Sequence, residues 1–266
     1  MSPTNLLSLY FLTMLRIAPI IIFTPFFGGQ MIPGLARVAQ VLAYSLLLMP
    51  TVIGSATFFP DFNFFYIFAT LKEFIIGFMF AFLVNAPFYT VQSSGIIIDY
   101  ERGASMMMQQ DPSLKLQIST LGVFFNQFLV VVFFVMGGPF FFFDGFVTSY
   151  SAIPVDGILH PNFFNLNNPF WMTLVTYLND IFTMGVQFAA PAIIAVLMAE
   201  SFLGIANRLA PQVQIVFLGM SLKSFLAMLL LWAGWYLFLK TIGDHSIDMT
   251  KAIKTLFEGI PYYNIK

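Results

Sequence analysis

The chain contains no cysteine, which excludes disulfides, thiolate nucleophiles and cysteine-ligated metal sites. Its two histidines, His160 and His245, lie in connecting regions near acids. No His-rich zinc pattern, Gly-x-Ser-x-Gly elbow or phosphate-binding glycine loop occurs. The sequence is therefore read as a non-enzyme with no cofactor and no metal. Charge is scarce as well: 9% of residues are charged, against roughly 25% in an average soluble domain. So few charges cannot cover a surface facing water, so the chain must be solvated by lipid, by protein partners, or by both. A net charge of −1 gives no electrostatic footprint for nucleic acid. The N-terminus has no basic stretch, and the first basic residue is Arg16. A cleavable signal would put charge first, so residues 6–28 are read as part of the mature protein.

What is present is apolar. Hydrophobic residues make up 59% of the chain and phenylalanine alone occurs 35 times. Six stretches reach the ~20 residues a spanning helix needs: roughly 6–28, 36–59, 64–92, 116–143, 170–199 and 213–239. They are far longer than barrel strands and lack the period-2 alternation of such strands. The expected fold is all-α, an integral membrane-derived helical protein of about six long apolar segments. No internal repeat or separate soluble domain is visible, so 1–266 reads as a single membrane domain with a short polar C-terminal tail, 240–266.

These segments are unusual spans. Arg16, Lys72, Glu73, Glu200 and Lys223 interrupt or end them, and one charge at the centre of a lipid-facing helix costs roughly 2.5–3.5 kcal/mol on insertion scales. Lys72 and Glu73 are adjacent, so their side chains leave the helix in different directions and are not expected to neutralise each other. Lys223 has no acidic residue within twenty positions on either side. Glu200 and Arg208 are eight residues apart, near one helical face. Pro19, Pro25, Pro50, Pro87, Pro139 and Pro191 each remove a helix hydrogen bond, which predicts kinked or broken helices. Loop charge gives a conflict. The 144–180 connection carries acids but no Lys or Arg and reads as outside. A regular six-span chain then puts the C-terminus outside, yet the tail holds Lys240, Lys251, Lys254 and Lys266.

One polar interval separates two charge-free stretches: "GIIIDYERGASMMMQQDPS", residues 95–113. It holds Asp99, Glu101, Arg102 and three consecutive methionines. Methionine is flexible and fills irregular gaps, and Pro112 disfavours helix at Asp111. By composition the interval is an ordinary loop whose methionines pack under a neighbouring helix, or a deformable seal.

Several blocks resemble a known family. "LRIAPIIIFTPFFGGQMIPGLARV", with Arg16, Pro19, Pro25, Gly28, Pro33 and Arg37, is similar to the N-terminal signature of the FliR/SctT export-gate subunits of type III secretion systems. "KEFIIGFMFAF" (Glu73, Gly77) and "QSSGIIIDYERGA" follow in family order, and "AAPAIIAVLMAESFLGIANRLAPQVQIVFLGMSLK" resembles its most specific block, with Pro191, Gly204, Asn207, Arg208, Pro211, Gln212 and Lys223. The charged "IDYERGA" looks more like the virulence-type injectisome branch than the flagellar one.

The resemblance implies a subunit of a helical export gate in the bacterial inner membrane, within the secretion basal body. It would assemble with SctR-type and SctS-type subunits and pass unfolded protein substrates. It further implies that the loop after the third apolar segment plugs the closed channel, which makes Met106, Met107, Met108, Gln109, Gln110, Asp111 and Pro112 the plug candidates. Arg16, Lys72, Glu73, Asp99, Arg102, Glu200, Arg208, Gln212 and Lys223 become candidates for intersubunit or gating contacts. Two other readings are weighed. One is a secondary transporter for a small solute, with Lys72, Glu73, Glu200 and Lys223 as coupling charges, although the two related halves such transporters show are not seen. The other is a structural membrane scaffold, which would need no mobile Met-rich segment.

Overall fold

The computed structural model describes residues 3–29, 32–55, 64–104, 119–159, 163, 165, 167–209, 215–258 and 262–263. Eight α-helices occur among the described residues: α1 (Pro3–Phe23), α2 (Gly34–Ser55), α3 (Phe64–Asp99), α4 (Thr120–Val135), α5 (Gly138–Ala152), α6 (Pro169–Leu209), α7 (Ile215–Ala233) and α8 (Trp235–Glu258). A π-helical turn, Tyr100–Ala104, extends α3. The two-residue strands β1 (Ile158–Leu159) and β2 (Tyr262–Tyr263) pair antiparallel. The fold is all-α, as the sequence predicts. Four helices are long and apolar enough to cross a membrane, or six spans if the bent pairs α4–α5 and α7–α8 each count as one.

Local sequence explains most boundaries. Pro25 forces Thr24 out of the helical region, to φ −80° and ψ 129°, and α1 stops there. Pro154 does the same to Ile153, at φ −130° and ψ 89°, and ends α5. Of the prolines expected to kink or break helices, Pro25 ends one and the others do not interrupt theirs. Pro19, Pro50, Pro87 and Pro191 lie inside continuous α1, α2, α3 and α6. Pro139 sits in the first turn of α5, where its missing N–H has no helical partner to lose. The breaks inside the two bent pairs fall at glycine. Gly137 has φ 76°, a left-handed conformation that glycine adopts without strain, and it parts α4 from α5. Gly234 parts α7 from α8, which bend by 65°. Residues 240–258, read from sequence as a polar tail, are the helical continuation of α8.

The chain divides into two compact units: Met1–Ala86 with Phe133–Leu178 and Ser246–Lys266, and Pro87–Val132 with Asn179–His245. The first unit is built around aromatic rings. Phe80 meets Phe142, Phe146 and Phe257 at centroid distances of 5.2–5.6 Å, and Phe26 meets Phe133 and Phe142 at 5.1 Å. α2 buries only Val41, Ser45, Leu48 and Val52, one stripe at heptad spacing. Its other faces stay apolar and open, with Leu35 at 87% exposure. Buried hydroxyls need no tertiary partner, because Thr13, Thr24, Ser45 and Thr250 donate to carbonyls four residues back.

The second unit uses small residues for close approach. A Cβ at Gly95 on α3 would lie 2.6 Å from the Gly122 Cα of α4, so the two backbones touch there. α6 buries Ile181, Gly185, Ala189, Ala192, Val196, Ala199 and Leu203, a repeat of three and four with small residues at its centre. Gly185 sets α6 against Thr90 and Ser93 of α3. Small residues of this kind let helices meet without a hydrophobic driving force between them. Trp235 and Phe238 close the unit against Phe125, at 6.3 and 4.9 Å.

Candidate functional site

The intramembrane charges are not solitary. Arg16 and Glu73 are both completely buried and face each other across α1 and α3. Arg16 Nε donates to Glu73 Oε2 at 2.5 Å, and Nη2 to Oε1 at 2.9 Å, a two-pronged match of guanidinium to carboxylate. Nη2 also donates to the Ile153 carbonyl at 2.9 Å, and Nη1 to the Ser149 carbonyl at 2.9 Å and the Ser149 Oγ at 3.4 Å. All five guanidinium N–H groups are thereby placed. The guanidinium carbon also stands 4.1 Å from the centre of the Tyr150 ring, which adds a cation–π contact.

Lys72 completes the cluster. Its ammonium donates to the carbonyls of Pro154, Val155 and Gly157 at 2.7–2.9 Å and lies 3.0 Å from Glu73 Oε1. The expectation that adjacent Lys72 and Glu73 cannot meet is thus overturned. Diverging Cβ directions do not bind a lysine whose four-carbon stem curls back toward its neighbour. Arg16 reaches carbonyls at the end of α5, which carries partial negative charge, and Lys72 holds the carbonyls of the turn that follows it.

Gly77 lies one turn beyond Glu73. A Cβ there would overlap the Arg16 carbonyl, so the stretch Lys72-Glu73-x-x-x-Gly77 supplies both the anion and the room for α1. The partners on 149–157 were missed from sequence because they are mostly backbone carbonyls, which carry no residue signature. Arg16, Lys72 and Glu73 saturate one another inside the first unit.

Two further pairs lie in the second unit. Asp99 is 3% exposed. Its Oδ2 accepts from Ser119 Oγ at 2.6 Å and from Leu121 N–H at 2.9 Å, and its Oδ1 pairs with Arg102 at 2.6 Å. Ser119 Oγ in turn accepts from Gly122 N–H at 2.8 Å, an N-cap. Asp99 therefore sits at the positive end of α4. It also ties together residues on both sides of the interval 105–118. Gly103, at φ 104°, turns the chain out of the helix. The plug candidates Met106, Met107, Met108, Gln109, Gln110, Asp111 and Pro112 lie outside the described residues, as does Gln212.

Lys223 of α7 pairs with Glu200 of α6. The acid is 23 residues away in sequence and meets the lysine across a helix–helix contact. The pair is half open, with side-chain exposures of 16% for Lys223 and 44% for Glu200. Arg208, two turns beyond Glu200, is exposed in the last turn of α6.

The buried cluster generates a ranking. Glu73 is the carboxylate bonded to both Arg16 and Lys72, so Glu73→Leu leaves two cations in an apolar core and should cost about 3–5 kcal/mol. Lys72→Met removes one cation, keeps the Arg16–Glu73 pair and should cost about 1–3 kcal/mol. The midpoint of unfolding of the detergent-solubilised protein checks this. A larger loss from Lys72→Met would contradict the assignment of Glu73 as the hub.

Relatives of the chain carry related names. It is 31% identical over 219 residues to "Surface presentation of antigens protein SpaR" of Shigella flexneri, across 81% of this chain and 80% of that protein. It is 34% identical over 161 residues to "Secretion system apparatus protein SsaT" of Salmonella typhimurium, across 60% of each. It is 30% identical over 224 residues to "Yop proteins translocation protein T" of Yersinia pestis, across 84% of each. Residues 7–249, which hold Arg16, Glu73, Asp99, Glu200 and Lys223, match the family described as "Bacterial export proteins, family 1", and the chain belongs to that family.

Proposed function

We propose that this protein is a subunit of a type III secretion export gate of the injectisome branch. In the bacterial inner membrane it joins SctR-type and SctS-type subunits to form the channel through which unfolded substrates pass. The family membership and the secretion names of the relatives support this reading. The observation that carries it is the outward face of α6. This helix has 41 residues, about 60 Å at about 1.5 Å per residue, while the hydrocarbon core of a bilayer is about 30 Å thick. Apolar side chains stay exposed along it, from Met172 at 58% through Phe182 at 71% and Phe202 at 66% to Leu209 at 81%. Lipid alone does not cover such a length unless the helix lies nearly flat, so other protein subunits suit it as neighbours. Glu200 with Lys223, Arg208 and Gln212 then act as polar contacts to those subunits, and Asp99 with Arg102 anchors the interval that holds the plug.

The transporter reading suits the geometry less. It needs ionisable groups able to exchange partners with a solute or ion, whereas of its four coupling charges Lys72 and Glu73 are saturated by each other, by Arg16 and by the carbonyls of 154–157, and Glu200 and Lys223 pair with each other.

Co-expression with the SctR-type and SctS-type subunits should yield one complex of fixed stoichiometry. A monodisperse detergent-solubilised monomer that transports a solute would contradict the proposal. Within the assembled complex, changing Met106, Met107 and Met108 together to alanine should raise small-ion leakage across the membrane while assembly persists, because smaller side chains fill less of the constriction. An assembled triple variant that stays tight would remove the plug from the account.

A further inference from the structure

The three tryptophans of the chain are used differently. The Trp171 indole N–H donates to the Phe163 carbonyl at 2.6 Å. The Trp235 ring packs against Phe124, Phe125, Phe128 and Phe238 at centroid distances of 5.0–6.3 Å. Trp232, in the last turn of α7, is 81% exposed, and Tyr236, in the first turn of α8, is 79% exposed. Among the described residues, neither the Trp232 indole N–H nor the Tyr236 hydroxyl has a hydrogen-bond partner. Each side chain presents an apolar ring and an open polar end, and the two ends demand different surroundings.

The two rings stand at a change of character along one line of exposed residues in the second unit. Phe225, Leu229, Trp232, Tyr236, Lys240 and Asp244 recur at intervals of three or four, and all six are exposed. Before the rings the line is apolar, and no residue between Lys223 and Lys240 is charged. Beyond the rings come Lys240 and Asp244. The helix axis turns at the same place, by 65° at Gly234, between Trp232 and Tyr236. Bulk water does not suit the first part of the line, because Phe225, Trp232, Tyr236 and the neighbouring Leu237 would leave a broad apolar patch uncovered. Hydrocarbon does not suit its second part, where Lys240 and Asp244 would be costly. A subunit interface also takes tryptophan and tyrosine, but its apolar centre is rimmed by polar residues, whereas polarity here rises in one direction only. Apolar, then amphipathic aromatic, then charged is the order met on leaving a bilayer. Tryptophan and tyrosine gather at the headgroup level, and lysine stems reach past them to water and phosphate. Lys240 has no ion-pair partner among the described residues, so its charge is open to a lipid phosphate.

We propose that the α7–α8 elbow seats in the headgroup layer of a phospholipid bilayer, with Trp232 and Tyr236 at the boundary of the hydrocarbon and Lys240 reaching the phosphates. This membrane contact goes beyond the gate reading and stands on the exposed line alone. With no cysteine in the chain, one introduced thiol can carry a fluorophore. Leu229→Cys, Leu237→Cys and Asp244→Cys use exposed positions and leave both rings and Lys240 in place. Each variant is labelled in complex with cysteine-free SctR-type and SctS-type subunits. The complexes are reconstituted into phosphatidylethanolamine–phosphatidylglycerol vesicles that carry a nitroxide either near the headgroup or at the end of the acyl chain. The label at 229 should be quenched several-fold more by the chain-end nitroxide, and the label at 237 several-fold more by the nitroxide near the headgroup. The label at 244 should be quenched chiefly by iodide in the water. Quenching at 237 chiefly from the chain end would put the elbow in the hydrocarbon core. Quenching there by iodide alone would put it clear of the bilayer, and quenching by neither would mean that a subunit covers it. Each of these three results overturns the proposal and leaves the gate reading standing. If the chain does not co-purify with the subunits, the gate reading falls, and the same labels on the chain alone in these vesicles decide the proposal.

Discussion

The pairing of Arg16 with Glu73 is the interaction on which the first unit depends. A guanidinium and a carboxylate without solvent are tolerable only when geometry and secondary hydrogen bonds are nearly complete. Here the carboxylate is gripped at both oxygens by Arg16 and at one of them also by Lys72. The spare guanidinium donors reach the end of α5. The relative register of α1, α3 and α5 follows from that requirement. A shift by one residue of any of the three would strand a charge. In this unit the rings supply burial and the ion cluster supplies uniqueness.

The same economy shapes the outer surface. Helices α2 and α6 each commit one narrow stripe to their own chain, Val41 to Val52 on one and Ile181 to Leu203 on the other. The remaining faces stay apolar, and along the 41 residues of α6 they do so over about twice the roughly 30 Å thickness of a bilayer core. Charge that is not buried is placed deliberately. Glu200 and Lys223 form a half-open pair amid apolar surface, while Asp144, Asp248, Lys251 and Lys254 gather on one side of α5 and α8.

Much of this was legible in the sequence. Long apolar runs gave the all-α class and the four to six candidate spans, because hydropathy reports directly on the solvent a helix needs. The buried charges could be singled out for the same reason, since each breaks a run. Their partners could not. Glu200 finds Lys223 through a helix–helix contact that no local spacing encodes, and Arg16 finds backbone carbonyls at 149 and 153 that any residue would provide. Adjacent Lys72 and Glu73 were read as divergent because spacing rules describe where side chains start, not where a long one ends. Pro25 ended a helix as expected, but Pro87 and Pro191 did not, for a related reason. A single lost hydrogen bond inside α3 or α6 is outweighed by the intact turns around it and by packing. At Gly137 the backbone itself adopts a conformation that ends the helix. The amphipathic end of α8 was read as a tail because its polar residues outnumber its apolar ones, although the apolar ones recur at helical spacing from Ile242 to Phe257.

A double-mutant cycle on Arg16 and Glu73 tests the central claim most directly. Arg16→Met, Glu73→Met and the double variant would be compared with the parent protein by equilibrium unfolding in detergent. If the pair sets the register of the first unit, each single variant leaves an unpaired charge. The double variant should then be more stable than either, with a coupling of at least about 2 kcal/mol. Losses that add to within about 0.5 kcal/mol would mean that the two residues contribute separately, and the aromatic packing alone would then have to hold the unit together.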